Sequence, residues 1–324
     1  MKISVVIPTY NRVQDLKECL DSIVTQSLLP TEVLVIDNSD QEREKVKKLI
    51  ESLKPPFTAK KIYLQYIPNG RENALTVAKN LGIDVSSGDI LSFLDDDIIL
   101  DRKYYEEIIE IYKKYPNALG VEGKVIETDK NRIRKILWSI FGRLFYLGFR
   151  EKDKCRMLPS LGVTYLVENK IVNCEWLSGA STYKREVFNE FKYDENLKKY
   201  SWGEDSDLSY RVFKRYPKLL YIAPEAKYLH KVSRTGRISN REIICMEEIY
   251  YLYLFYKIIR QNFKNKLIYL WSRLGRMIFR VILLCTLKIK FPEIKYLFEA
   301  YVLCLRHLRE IKDGDLDFFN KTLR

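Results

Sequence analysis

The chain has 324 residues, 47% of them hydrophobic and 31% charged, so it can bury a full core in one large domain or two smaller ones. That balance excludes a disordered chain, and six scattered cysteines without a C-x-x-C pair indicate neither a disulfide framework nor a thiolate zinc site. The net charge of +13 lies in two segments, +6 over residues 132–156 and +7 over residues 241–324, and both are rich in aromatic and aliphatic residues.

The start of the chain and the cysteine usage both bear on location. The opening MKISVVIPTYNR leads directly into a strand-like segment, without the basic stretch and long apolar stretch of a signal peptide. Scattered cysteines are typical of a reducing compartment. We therefore expect a cytoplasmic location.

Short β-branched runs alternate with helical patterns over the first hundred residues. Such alternation predicts an α/β fold with a mostly parallel sheet, whose ligands bind beyond the carboxyl ends of the strands. The predicted strands cover residues 2–8, 32–37, 61–67 and 90–94, and the predicted helices between them cover residues 13–28 and 74–85.

The pattern is less regular beyond residue 100. A helix is predicted over residues 104–115, strand-like pieces over 170–177 and 219–223, and mostly helix from about Asn240 onward. We expect a first unit over residues 1–235, which divides into residues 1–97 and residues 98–235 and includes the amphipathic segment 132–150 in its second half. A helical extension over residues 236–324 follows.

Three adjacent carboxylates, Asp95, Asp96 and Asp97, stand directly after the apolar strand at residues 90–94. Carboxylates this close repel one another, so a positive group is expected nearby. One interpretation is a solvated turn or a helix N-terminus. The other is a divalent cation held by one or two carboxylates, with substrate phosphates completing its shell. The position after a buried strand favours the cation.

Several motifs together resemble the family 2 inverting glycosyltransferases of the GT-A fold. They are VVIPTYNR, VIDNSD, AKNLGI, SSGDILSFLDDDI, WLSGASTYKREVF and WGEDSDLSYR, and they cover roughly residues 3–235. Each motif alone is weak, and their joint order and spacing are specific. The resemblance implies a Rossmann-like three-layer α/β/α sandwich, with a helical extension here, and a nucleotide diphosphate sugar as donor. It also implies that residues 1–97 form the half that binds the nucleotide sugar and residues 98–235 the half that binds the acceptor.

The donor-side residues follow from position and from the resemblance. Asp37, at the end of the second strand, is placed to accept hydrogen bonds from a base or ribose, although DNSD also suits a turn. The resemblance implies that Asp95 lies near the ribose and that Asp96 more often faces solvent. It also implies a phosphate-side role for Lys79, which stands where the family often has arginine. Four residues after the first strand are expected to wall the base pocket: Pro8, Thr9, Tyr10 and Arg12.

The resemblance also implies the metal and acceptor sides of the site. Asp97 is expected on a divalent Mn²⁺ or Mg²⁺ ion, and His230 can complete the shell or touch the diphosphate, although a lone histidine is more often structural. Arg234 suits phosphate oxygens. Four further residues lie in motifs assigned to the acceptor side: Gly179, Ala180, Trp202 and Glu204.

Inverting transfer needs a general base for the acceptor hydroxyl and a Lewis acid for the leaving diphosphate. Asp205 in GEDSDL is the candidate base, with Glu204 and Asp207 as neighbours. The alternative is a solvated helix start, where the same carboxylates would stabilise the first turn.

The two basic segments carry helical apolar stripes. RIRKILWSIFGRLFYLGFR at residues 132–150 has the pattern of an amphipathic helix in a membrane interface, and residues 267–287 are similar but interrupted by Arg273, Arg276 and Arg280. No apolar run reaches the length of a spanning helix. The stripes predict contact with an anionic membrane surface, or else packing on the catalytic unit or an oligomer interface.

The sequence therefore predicts a metal-dependent inverting glycosyltransferase acting on a lipid-linked or glycan acceptor, peripheral on the cytoplasmic face of the membrane. A nucleotidylyltransferase is the rival enzyme, but it would normally carry a glycine-rich loop after the first strand, and PTYNRVQDL has no glycine. A basic scaffold without catalysis, bound to membrane or nucleic acid, is the rival from another class. The interleaving of charge with apolar residues favours lipid over nucleic acid.

Overall fold

The computed structural model describes residues 1–126, 132–233, 238–285 and 291–323. The strands within these residues are β1 (Ile3–Thr9), β2 (Glu32–Asp37), β3 (Tyr63–Pro68), β4 (Ile90–Phe93), β5 (Ile98–Leu100), β6 (Gly120–Val125), β7 (Cys155–Met157), β8 (Val163–Tyr165), β9 (Val172–Asn173), β10 (Ser181–Lys184) and β11 (Leu220–His230).

The helices are α1 (Val13–Val24), α2 (Arg43–Ala59), α3 (Leu75–Val85), α4 (Tyr104–Lys114), α5 (Arg132–Phe145), α6 (Glu204–Arg215), α7 (Asn240–Ile258), α8 (Phe263–Cys285), α9 (Phe291–Arg306), α10 (Leu308–Asp313) and α11 (Asp317–Asn320), with a short 3₁₀ helix at Arg185–Asn189.

The main sheet has the strand order β3-β2-β1-β4-β10-β6-β11-β5, with β9 paired to β11. The first four strands are parallel, and β6 and β11 are parallel to each other. Strand β10 is antiparallel to both β4 and β6, so it joins the two parallel parts. Strand β5 closes the edge, antiparallel to β11.

Helices cover both faces of this sheet, because the inner strands are apolar on both sides. Val5 and Ile7 of β1 face a core formed with α1, α2 and α4. Val6 of the same strand faces a second core with α3 and α6. This alternation gives three α/β/α layers, which confirms the predicted fold class.

The predicted strands of the first hundred residues are confirmed to within two residues at most ends, as are the helices at α1 and α3. The region beyond is less well predicted. Strands β5, β6 and β10 were not predicted, and of the strand-like segment at 170–177 only Val172–Asn173 pairs in the sheet. Helix α2 was also missed, and it continues through Pro55 and Pro56.

The C-terminal helices form a third core against the catalytic unit. Helix α7 begins with a capping box, in which Ser239 and Glu242 exchange side-chain and backbone hydrogen bonds. Lys257 of α7 forms ion pairs with Asp194 and Asp207. The extension is therefore packed on the first unit; the boundary at residue 235 stays a prediction, since residues 234–237 lie outside the described part.

The basic segment at 132–150 forms helix α5, which packs along α8. Trp138 lies against Phe279, with ring centroids 4.5 Å apart, and Phe145 stacks on Trp271 at 5.0 Å. Phe145 is buried in this seam. One part of the predicted stripe thus packs on the protein, while other apolar residues of α5 stay exposed. Among the helices of the described residues, none combines the length and hydrophobicity that crossing a bilayer requires.

Candidate active site

A cleft of about 400 Å³ opens at the carboxyl ends of β1 and β4 and is closed on the far side by the start of α6. Its volume is in the usual range for a small-molecule site. Sequence positions from five separate motifs meet here. The predicted site residues that line it are Pro8, Thr9, Tyr10, Arg12, Asp95, Asp96, Asp97, Gly179, Trp202, Glu204, Asp205 and His230.

Asp95, Asp97 and His230 lie close enough to share one cation, because each offers a ligand atom within 4.8 Å of the others. His230 Nε2 lies 3.2 Å from Asp97 Oδ1. Burial would raise the pKa of Asp97, but His230, the Ser233 amide and Arg12 together hold it below its usual value. Burial raises the pKa of Asp95, while Lys79 opposes that rise.

Strand pairing brings His230 to the acidic triplet. Asp97 directly precedes β5, and His230 at the end of β11 pairs with Ile98. Beyond that pair, the Lys231 amide donates to the Asp97 carbonyl at 3.1 Å and the Ser233 amide to Asp97 Oδ2 at 2.8 Å. The relative position of the two ligands is therefore fixed by backbone hydrogen bonds.

Asp96 does not face solvent, contrary to the prediction. It is buried, and its carboxylate accepts hydrogen bonds from Thr9 Oγ1 at 2.8 Å and Arg12 Nη1 at 3.0 Å. Burial raises its pKa to about 7, against the opposing effect of Arg12. The guanidinium of Arg12 thus supplies a positive charge beside the triplet, and it also lies 3.9 Å from Asp97. Its ion pair with Asp96 holds it at the edge of the cleft.

Asp205 stands in the first turn of α6, opposite the triplet. Gly203 before it has φ +91°, a left-handed conformation that glycine adopts without strain and that turns the chain into the helix. Lys79 Nζ lies 2.7 Å from Asp205 Oδ1 and 3.2 Å from Glu204 Oε1. Burial, followed by the charge of Asp205, raises the pKa of Glu204. The third carboxylate, Asp207, turns away and pairs with Arg211 and Lys257.

Lys79 does not lie on the phosphate side. Its side chain is fully buried behind Glu204 and Asp205, with its ammonium 5.0 Å from the centre of the Tyr193 ring. A buried cation needs such partners, because an unpaired one would pay a large desolvation cost. The expectation that Lys79 contacts donor phosphate is therefore wrong in this structure, and its charge instead belongs to the carboxylates of α6.

Two other predicted residues lie behind the wall of the cleft. Asp37 is buried, and its two oxygens already accept from the Ser39 amide at 2.8 Å and the Tyr66 hydroxyl at 2.9 Å. Ala180 is buried beneath the lining residue Gly179. Contact of Asp37 with a base or ribose stays a prediction. Arg234 lies outside the described residues, so its assignment also stays a prediction.

Some lining residues were not predicted, among them Asn38, Asn73, Ser178, Lys199 and Tyr200. Asn38 was within reach of sequence reasoning, because it follows Asp37 in VIDNSD at a strand end. Tyr200 likewise directly precedes the segment SWGEDSD. Ser178 lies in the motif WLSGASTYKREVF, directly before Gly179, and was also within reach. Asn73 and Lys199 belong to loops with no distinctive local pattern, and only the fold brings them to the cleft.

Solved structures with a similar fold support the assignment of the fold class. The chain superimposes on S. aureus TarS 1–349 with a TM-score of 0.56 over 99% of this chain and 89% of that one, at 15% identity. It superimposes on GalNAc-T7, solved with UDP, GalNAc and Mn²⁺, with a TM-score of 0.57 over 78% of this chain and 50% of that one, at 15% identity. At such identity the likeness concerns the fold, which is that of the GT-A glycosyltransferases.

The family follows from the sequence match. The model of "Glycosyl transferase family 2" matches residues 4–165, which is half of the chain. The chain therefore belongs to glycosyl transferase family 2, and it is a glycosyltransferase. This confirms the resemblance drawn from the motifs.

Curated relatives share the catalytic unit at modest identity. The chain is 25% identical over 244 residues to the glycosyltransferase GlyA of Streptococcus pneumoniae, a match covering 74% of this chain but only 32% of that protein. It is 26% identical over 242 residues to the glucosyl-dolichyl phosphate glucuronosyltransferase of Haloferax volcanii, covering 72% and 70%. It is 26% identical over 208 residues to the GalNAc(5)-diNAcBac-PP-undecaprenol β-1,3-glucosyltransferase of Campylobacter jejuni, covering 58% and 60%.

Proposed function

We propose that the protein is a metal-dependent inverting glycosyltransferase. It moves a sugar from a UDP- or GDP-type donor to an acceptor hydroxyl or phosphate. One observation carries this proposal: the carboxylate of Asp205 and the cluster of Asp95, Asp97 and His230 open into one cleft of ligand size.

The donor occupies the side of the cleft formed by the ends of β1 and β4. Solved structures of this fold include TarS in complex with UDP-GlcNAc and GalNAc-T7 with UDP, which supports a nucleotide diphosphate sugar here. Pro8, Thr9 and Tyr10 line this side. The Arg12 guanidinium, held by Asp96, lies at the edge where donor phosphates would need a positive charge.

Asp95, Asp97 and His230 would hold a divalent cation such as Mn²⁺ or Mg²⁺. Two carboxylates and one imidazole fit such an ion, with phosphate oxygens and water completing its shell. The bound ion supplies a Lewis acid for the charge on the leaving diphosphate. GalNAc-T7, which has the same fold, was solved with Mn²⁺, and this supports manganese here.

Asp205 is the general base. It takes the proton of the acceptor hydroxyl as the oxygen attacks the anomeric carbon from the face opposite the leaving diphosphate, which inverts the configuration. Lys79 orients the Asp205 carboxylate through a charge-assisted hydrogen bond of 2.7 Å. Glu204 shares the same ammonium, and its raised pKa suits a neutral carboxylic acid beside the ionised base.

The acceptor is lipid-linked and is met at the cytoplasmic face of a membrane, where the enzyme is peripheral and can also form oligomers. Two relatives are named for lipid-linked acceptors, a dolichyl phosphate and an undecaprenol diphosphate. The positive segments with apolar stripes support attraction to an anionic surface rather than to nucleic acid.

A screen of nucleotide sugars tests the proposal. Hydrolysis and transfer are measured for UDP- and GDP-sugars with Mn²⁺, with Mg²⁺ and with a chelator, using a lipid extract as the acceptor pool. Metal-dependent turnover of at least one donor is expected. No turnover of any donor with either ion would contradict the proposal.

The first mutational prediction concerns Asp205→Asn. Removing a general base commonly lowers the rate about 10²–10⁴-fold. Donor affinity should survive, because the residue lies across the cleft from the triplet. The measurement is turnover together with donor binding by calorimetry, and Asp84→Asn, at an exposed aspartate of α3, provides the matched control. Turnover within a few-fold of wild type would move the role of base to Glu204.

A further inference from the structure

The three arginines of helix α8 lie on the side that faces the protein. Arg273 Nη1 lies 3.0 Å from Glu248 Oε2, and Arg280 Nη1 lies 2.9 Å from Glu293 Oε2. Arg276 forms ion pairs with both Glu247 and Glu248. The three arginines that interrupt the apolar segment in the sequence therefore do not interrupt the outer surface of the helix.

The outward side of α8 is apolar. Leu270 is 63% exposed, and its neighbours on the stripe are exposed as well. Their spacing is that of one helical face. The exposed apolar residues of this stripe are Leu267, Leu270, Trp271, Leu274, Val281 and Ile282.

Helix α5 extends this apolar surface. Leu137, Ile140 and Leu144 are each about 60% exposed. The Trp271 indole N–H donates to the Leu144 carbonyl at 2.8 Å, so the exposed side chains of the two helices adjoin. We call this continuous surface the α5–α8 face. Phe145 is not part of it, because it is buried against Trp271 and Gly275.

The polarity of α8 is the reverse of that of a helix on a water-soluble surface, where apolar residues turn inward. Contiguous apolar patches of this kind mark interaction sites on otherwise soluble proteins. A hydrocarbon environment fits the inversion, because buried Arg–Glu pairs inside and aliphatic side chains outside are what lipid contact requires.

Positive charge borders the face. Lys264 and Lys266 at the start of α8 are exposed, as is Arg143 on α5. A groove beside α5 is lined by Lys135, Arg143 and Arg150 together with aliphatic side chains and Glu168. Cations next to aliphatic residues suit a phosphodiester headgroup and its acyl chains, and Trp138 and Trp271 have the residue type enriched at membrane interfaces.

We propose that the α5–α8 face inserts into the interfacial layer of an anionic bilayer and is covered by lipid, not by a second copy of the chain. The inference rests on the proposed function in one respect: the lipid-linked acceptor is taken from it, and the α5–α8 face is the surface that brings the enzyme to that acceptor. The α5–α8 face is covered by the headgroup and upper acyl region of phospholipids.

Vesicle co-sedimentation tests this assignment with the full chain. The vesicles contain equal parts of phosphatidylcholine and phosphatidylglycerol. Binding should weaken as salt rises but persist, because apolar insertion is not screened. The triple variant Ile140→Gln, Leu270→Gln and Leu274→Gln should lose the salt-resistant binding, by roughly ten-fold or more per side chain. Val85→Gln, an exposed apolar position at the end of α3, serves as the matched control and should bind like wild type.

Two further readouts keep the result interpretable. Circular dichroism melting should be unchanged in the triple variant, because its residues are exposed. Tryptophan emission should be quenched by brominated phosphatidylcholine in the wild type and not in the variant. Unaltered vesicle binding by the variant would overturn the inference. So would a dimer in sedimentation velocity that the variant abolishes and vesicles leave intact.

The inference and the proposed function can fail separately. Loss of vesicle binding in the triple variant, with metal-dependent donor hydrolysis retained, supports the inference. A different outcome would contradict the proposed function alone: neither the wild type nor the triple variant turns over any donor, while vesicle binding still depends on the α5–α8 face.

Discussion

Asp97 shows how one carboxylate of an acidic triplet is prepared for a cation. Asp96 and Asp97 have different hydrogen-bond partners. Asp96 accepts from Thr9 and Arg12, while Asp97 lies against His230 and accepts from the Ser233 amide. Donors around Asp97 favour its ionised form, which is the form that binds a metal. Identical residue types thus take different roles because the groups packed around them differ.

Replacing Asp97 by alanine should strongly weaken metal-dependent donor binding. The change removes one of two carboxylates in the cluster, so the affinity for UDP in the presence of Mn²⁺ is expected to fall by roughly ten-fold to a hundred-fold or more, on the scale of a lost charge-assisted contact. Isothermal calorimetry measures it. Asp101→Ala, at an exposed aspartate after β5, is the control. Unchanged affinity for UDP and Mn²⁺ would show that the ion is held elsewhere.

Glu122 should give the stability a pH dependence. Burial raises its pKa to about 7, although Ser178 and Tyr228 donate hydrogen bonds to it. The unfolded chain releases this proton near the ordinary value of about 4.5, and the folded protein keeps it to about 7, so stability falls as the pH rises between those values. The amount is on the order of 3 kcal/mol.

Glu122→Gln should remove that dependence. Relative to wild type, the variant should gain unfolding free energy between about pH 5 and about pH 8, as measured by urea unfolding at both values. Glu110→Gln, at an exposed glutamate of α4, should follow the wild-type profile. Parallel profiles for Glu122→Gln and wild type would mean that Glu122 ionises in the folded protein as readily as in the unfolded chain.

At the scale of elements, α7 and α8 are joined by charge as well as by apolar packing. Glu248 of α7 is almost fully buried and pairs with both Arg273 and Arg276. Removing one partner of a buried ion pair leaves an uncompensated charge out of water. The orientation of α8, and with it the direction of its apolar stripe, depends on this network.

Glu248→Ala should therefore cost about 3–5 kcal/mol of unfolding free energy. Lys321→Ala breaks an exposed pair with Asp317 and should leave the free energy of unfolding almost unchanged, because solvent screens such a pair. Urea unfolding of both variants provides the comparison. Similar losses in the two variants would argue against a buried network as the link between α7 and α8.

Elements were predictable where their pattern is local. Helices α1 and α3 and strands β1 to β4 show the expected periodicities, and these strands alternate with helices along the chain. Strand β6 reads GVEGKV, with too little apolar character to stand out, and β10 lies antiparallel between two distant strands. Helix α2 contains Pro55 and Pro56, residues that usually end a helix.

At the scale of the whole molecule, the sequence predicts which residues form the candidate site but not how their side chains pair with one another. Twelve of the predicted residues line one cleft, because strand ends and the start of α6 converge there. The pairing of Lys79 with Asp205 and the burial of Asp96 depend on side-chain packing between distant segments. Neither carries a signal in the local sequence.

The pairing of β5 with β11 bears on the dynamics of Asp97 and His230, two of the residues proposed to hold a metal ion. Asp97 and His230 are attached to hydrogen-bonded strands of the main sheet, so their ordering occurs when the sheet folds and not when a cation arrives. Little conformational entropy is then left to lose on ion capture. The paired amides of these strands should therefore be protected from exchange with deuterated solvent already before manganese is added, and their exchange should slow further once the ion stabilises the folded state. The cluster is in this sense a rigid receptor rather than a loop that folds around its ion.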